Sequence, residues 1–171
     1  MKARPPPAAP AVAAPALAES GPEVRVLRRF RLVFNAVKTH FQQVEKKAGV
    51  GGAQLWALSV IQGRPDLGVN NLAAAMDIHQ TTASNLVKAL LASGLISAEK
   101  SGRDRRGVHL RVLAPGLRVL RRAPGPFAGV LPEALASLDA QTLERLDHDL
   151  ALLIAALGAD ERAAGIPLAH M

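Results

Sequence analysis

Apolar positions recur at helical spacing along most of this chain and alternate in only one place. Over residues 24–50, Leu27, Phe30, Phe34, Val37, Phe41 and Val44 are spaced 3, 4, 3, 4, 3. That is a narrow coiled-coil-type stripe and predicts a long helix. Arg25, Arg28, Arg29, Arg31 and Lys38 lie mostly off the stripe, and Gly49, Gly51 and Gly52 end it. A second helix is expected over 53–62, with Leu55, Leu58, Val60 and Ile61 inside, stopped by Gly63-Arg64-Pro65-Asp66. Asn70 is expected to cap a short helix that buries Leu72, Ala73 and Met76. Asp77-Ile78-His79 reads as a tight turn. The next helix, 80–93, should bury Ala83, Leu86, Val87, Leu90 and Leu91 and stop at Gly94.

Strands are expected next. Residues 95–100 and the alternating 108–113 form a hairpin around the Gly-bounded loop 101–107, whose tip carries Arg103, Arg105 and Arg106. Pro115 suits the first turn of a helix running to Arg122. Pro124-Gly125-Pro126 must interrupt that helix, because proline removes a donor and clashes with the preceding turn. A shorter helical piece follows over 130–137. Asp139 then caps a last helix, where Leu143, Leu146, Leu150, Leu153 and Leu157 recur at 3, 4, 3, 4. The ends, 1–22 (rich in Ala and Pro, read as disordered) and 159–171, are expected to be tails around one domain, 23–158.

Composition narrows the picture. The 171 residues suffice for one domain with a proper core. Hydrophobic residues make up 49% but aromatics only 3%, with one Trp and no Tyr, so the core must be aliphatic. A formal net charge of +7 favours a polyanionic partner, nucleic acid or an anionic membrane surface. The absence of Cys excludes disulfides, Cys-ligated zinc and thiol redox chemistry, and fits a reducing cytoplasm. No apolar run approaches the roughly 20 residues of a membrane helix. Catalysis has little support. There is no Gly-rich phosphate loop and no Gly-x-Ser-x-Gly. His40, His79, His109, His148 and His170 are scattered, and Asp147-His148-Asp149 reads as a solvated helix face. No catalytic residue, metal ligand or cofactor is assigned.

The order of elements carries more. Short helix, turn, second helix and basic-tipped hairpin make a winged helix-turn-helix, a mainly α fold with a small β-hairpin wing. In such a fold the second helix places its N-terminal end in the DNA major groove. Gln80, Thr81, Thr82, Ser84, Asn85 and Lys88 supply short donors, acceptors and a cation there. Asn can pair bidentately with adenine, and Ser or Thr serves several bases or phosphates. Free N–H groups at the helix start add an anion site. On its own this cluster is equally an ordinary helix start with solvated polar residues. The hairpin decides between the two, because Arg103, Arg105 and Arg106 on its tip can enter a narrow minor groove.

From about residue 25 to 157 the chain resembles the MarR family of bacterial winged-helix regulators. "GLISAEKSGRDRRGVHLRVLAPG" resembles the family's helix exit, its wing with an Asp-x-Arg signature at Asp104-Arg105-Arg106, and the strand leading to the next helix. "HQTTASNLVKAL" matches its recognition helix in pattern. The resemblance implies a DNA-binding lobe over about 53–113, dimerisation helices over about 24–48 and 114–157, and a homodimeric repressor of a pseudo-palindromic operator in double-stranded DNA. It implies that Asp104 and Arg106 brace the wing, that Arg103 or Arg105 probes the minor groove, and that the protein sits in the bacterial cytoplasm at the nucleoid. It further implies a small aromatic acid or phenolic effector, with Phe34, Phe41 and Trp56 as apolar walls and Arg31, His40 and Arg118 as polar anchors. The sequence departs from the family at Ala114, where a capping Thr or Ser is usual, and at Pro124-Gly125-Pro126, which breaks a usually continuous helix. Two readings from other classes stand beside it. One is an architectural or protein-interaction module without an effector. The other is RNA binding, against which the scarcity of aromatic stacking platforms counts.

Overall fold

Helix α1, Pro22–Ala48, opens the computed structural model, which describes residues 21–100 and 108–170. These fall into two units that divide within α1, up to Val33 and from Phe34 on. In the second unit α1 buries Val37, Phe41 and Val44, the second half of the predicted stripe. After Gly49 the chain enters α2, Gly52–Gly63, which buries Leu55, Leu58 and Ile61. Helix α3 is Val69–Met76 and α4 is Gln80–Ala92. The wing strands β1, Ile96–Lys100, and β2, Val108–Val112, pair antiparallel with Ile96 opposite Val112 and Lys100 opposite Val108. Helices α5, Ala114–Arg122, α6, Val130–Ala136, and α7, Ala140–Leu157, follow.

The core lies where α2, α3, α4 and the wing base meet. Leu58, Ile61, Leu72, Met76, Leu90 and Leu110 are all within 1% of complete burial there. It is aliphatic, as the composition demands. Gly94 ends the α4 turn at φ +63°, a conformation that costs a glycine little, and turns the chain into β1. Asp139 caps α7 by accepting from the Thr142 N–H at 2.9 Å, as its position predicts.

Three expectations need correction. Asn70 does not cap α3: Gly68 holds the extended cap position and Asn70 lies inside the first turn. Leu91 is not part of the core but 38% exposed, because it sits about 100° round α4 from the buried Leu90. The stretch beyond Gly158, expected to be a tail, forms two 3₁₀ turns, Glu161–Gly165 and Leu168–His170, which pack against the body. Pro167 is buried there, and Ala169 sits on the core beside Gly52. The proposed N-terminal tail, apart from residues 21 and 22, lies outside the described residues.

Candidate nucleic-acid interface

Helix α4 is two-faced. Ala83, Leu86, Val87 and Leu90 face the core, so at about 100° per residue the opposite stripe falls on Thr81, Asn85 and Lys88. All three are exposed, as is Gln80, while Thr82 and Ser84 flank the stripe half-buried. All six polar residues expected from the sequence therefore lie on one accessible helix, with the Leu-rich face anchoring it from behind. The cap residue, His79, is extended and offers no side-chain acceptor to the first turn. The leading N–H groups of α4 carry the positive end of the helix dipole and suit a phosphate. Lys88 adds a full charge on the same side.

The wing is held at its base by a contact that the sequence did not reveal. The Arg111 Nε–H on β2 donates to Asp66 Oδ1 at 2.7 Å, and the His109 Nδ1–H donates to the Asp66 carbonyl at 2.8 Å. Between them the Leu110 N–H donates to Leu67 O at 3.1 Å. The loop before α3 thus adds a third rung to the hairpin. Asp66 takes the left-handed conformation at φ +66°, which Asp tolerates better than most residues. The Arg111 hydrogen bond lowers the Asp66 carboxyl below its usual value and raises that of Arg111. The partners lie 45 residues apart, beyond any local spacing signal. The predicted brace, Asp104 with Arg106, and the predicted probes, Arg103 and Arg105, lie outside the described residues.

Residues 48–107 match the model of the MarR family. That match spans 60 of the 171 residues, and over it the chain is similar to the MarR family. Solved structures extend the likeness beyond that segment. The DNA complex of S. aureus MepR superposes with a TM-score of 0.54 at 18% identity, over 80% of this chain and 99% of that one. A MepR-like protein complexed with pseudoligands gives 0.55 at 15%, over 80% and 97%. PcaV from Streptomyces coelicolor, in complex with its natural ligand, gives 0.50 at 24%, over 86% and 99%. At these identities the likenesses establish the fold alone. No curated protein matches the sequence significantly.

No described helix of this chain is long and apolar enough to cross a membrane. Among the described residues one cavity has a volume of about 310 Å³. Phe41 and Trp56 line it, together with Val37, the Met76–Ile78 turn, Leu131 and Leu135. Two of the expected ligand-site residues thus meet at one cavity. Phe34 and Arg118 are exposed and off its lining, and His40 donates from Nε2 to the Pro126 carbonyl at 2.9 Å. Arg31 is exposed on the first part of α1. Among the described residues the one ionisable side chain on the lining is Asp77, an acid.

Proposed function

We propose that this chain is a homodimeric repressor of a pseudo-palindromic operator, acting in the cytoplasm and released when a small molecule binds. The observation that carries the DNA reading is the outward stripe Thr81, Asn85 and Lys88 on α4, the helix that leads into the β1–β2 hairpin. Asn85 reaches a base edge in this reading, Gln80, Thr81, Thr82 and Ser84 reach bases or phosphates, and Lys88 takes a phosphate. Arg105 follows the minor groove. The MepR complex with DNA and the PcaV complex with its natural ligand support both halves by analogy of fold.

The dimer reading rests on apolar surface. Leu27, Leu32 and Val33 on α1 are exposed, as are Leu152, Leu153, Ile154 and Leu157 on α7. Helix α7 buries none of its residues within the single chain. Each Leu taken out of water by a two-fold partner contributes roughly 1.5–3 kcal/mol.

The two DNA elements fail differently when mutated. Losing a bidentate base contact costs about 1–3 kcal/mol and relaxes choice at one position. Losing a phosphate or minor-groove cation weakens all sequences and flattens the salt slope by about one unit per contact, about two in a dimer. Asn85→Ala should therefore flatten the specificity profile with little change in salt dependence, and Arg105→Ala should do the reverse. Both are measured against an operator, a single-base variant and random DNA over a salt series. Unchanged affinities for all three, with the fold intact, would remove α4 and the wing from the interface.

A further inference from the structure

The cavity beside Trp56 has two walls that meet at the start of α4. One wall is the Met76–Ile78 turn, which runs directly into His79 and the recognition helix. The other is the C-terminal strap, the paired 3₁₀ turns from Glu161 to His170, which contributes Ile166, Pro167 and Leu168. His79 joins them. Its backbone N–H donates to Gly165 O at 3.2 Å and its ring Nε2–H donates to Arg162 O at 3.1 Å. Its own carbonyl accepts the first helical bond of α4, from Ala83 N–H at 3.0 Å. Gly165 lies so close against the imidazole that a Cβ at that position would overlap the ring. One residue is thus the cap of the recognition helix and the anchor of the strap.

The lining also sets the ligand's charge. Its side chains are mostly apolar, and the one ionisable group among the described lining residues is Asp77. A carboxylate entering here would lose its hydration, meet no cation and face an acid. An uncharged molecule has no such cost. A volume of about 310 Å³ falls at the small end of ligand sites.

We propose that this cavity admits an uncharged, mainly apolar molecule, and that the C-terminal strap carries its occupancy through His79 to the recognition helix. The inference rests on the reading of the chain as a ligand-responsive regulator and names the ligand class and the coupling element. A bound molecule touches the strap and the Met76–Ile78 turn together. It shifts DNA affinity because it fits one arrangement of strap and turn better than the other; equal fit would shift nothing.

Trp56 is the sole tryptophan and lines the cavity, so its emission reports occupancy directly. The probes are adamantanol and adamantanecarboxylate, matched in shape and transparent where Trp is excited. With the full-length protein, adamantanol should give a saturable change in Trp56 emission, and the carboxylate should bind at least about tenfold more weakly. Adamantanol should also change operator affinity by about fivefold or more, the lower range of ordinary allosteric coupling. Gly165→Val dislodges the strap from the imidazole, and His79→Ala removes the ring bond to Arg162 while leaving the lining intact. Both variants should lose most of the effect on DNA, to under about twofold, and His79→Ala, which leaves the lining intact, should keep the Trp56 response. The proposal is overturned if the carboxylate binds as tightly as the alcohol, if adamantanol leaves Trp56 unchanged, or if both variants couple like the parent. Those outcomes with specific operator binding intact leave the regulator reading standing. Absence of specific operator binding in the parent protein overturns both.

Discussion

Leu90 and Leu91 are sequence neighbours with opposite surroundings, and stability should separate them. Leu90 is fully buried in the core, so Leu90→Ala should cost about 2–5 kcal/mol through lost transfer energy and a residual cavity. Leu91 is 38% exposed, and Leu91→Ala should cost about 1 kcal/mol or less. Denaturant melts of the two variants check this; equal losses would put α4 in a different rotation, and with it the stripe assigned to DNA. At the same scale, Asp66 makes a pH prediction. Its carboxyl is lowered by the Arg111 hydrogen bond, so its folded value lies below the unfolded one. The stabilisation is therefore fully present above the ordinary aspartate value of about 3.9 and is lost as pH falls through the lower folded value. A carboxyl-carbon NMR titration should find Asp66 below that value, and Arg111→Ala should bring it back up. An unshifted Asp66 in the parent protein would mean that the wing-base pair does not form in solution.

Elements with their own periodicity were legible in the sequence. The stripes of α1 and α7, the core face of α4, the alternation in β2 and the Asp139 cap each depend on residues within a few positions of one another. The placement of the six polar residues on one helix was legible for the same reason. What escaped depends on distant partners. The Asp66–Arg111 brace, the packing of the C-terminal turns on His79, and the meeting of Phe41 and Trp56 at a cavity that excludes Phe34, His40 and Arg118 are tertiary facts without local spacing. Asn70 misled because it is a favoured cap type two residues beyond the true cap, Gly68. The proposed dimer can be tested at α7. Leu150 is half-buried and Leu153 38% exposed in the single chain, so placing lysines at both should abolish a two-fold interface while sparing the core. Leu150→Lys combined with Leu153→Lys should sediment as a folded monomer or aggregate; an unchanged dimer would remove α7 from the interface.

On the scale of the whole molecule, a net charge of +7 guarantees attraction to any polyanion, so binding to DNA at low salt proves little. Specific recognition needs the stripe on α4 to read bases and a second copy to repeat the reading about one helical turn away. The most direct measurement is the ratio of affinities for a sequence selected from a random pool and for random duplex of equal length, at one fixed salt concentration near physiological, with the number of chains bound counted. A sequence-specific dimeric regulator predicts two chains on a pseudo-palindrome and a preference of about a thousandfold or more. A ratio near one, with the protein folded and dimeric, would contradict that account and leave a basic winged helix that binds DNA without choosing among sequences.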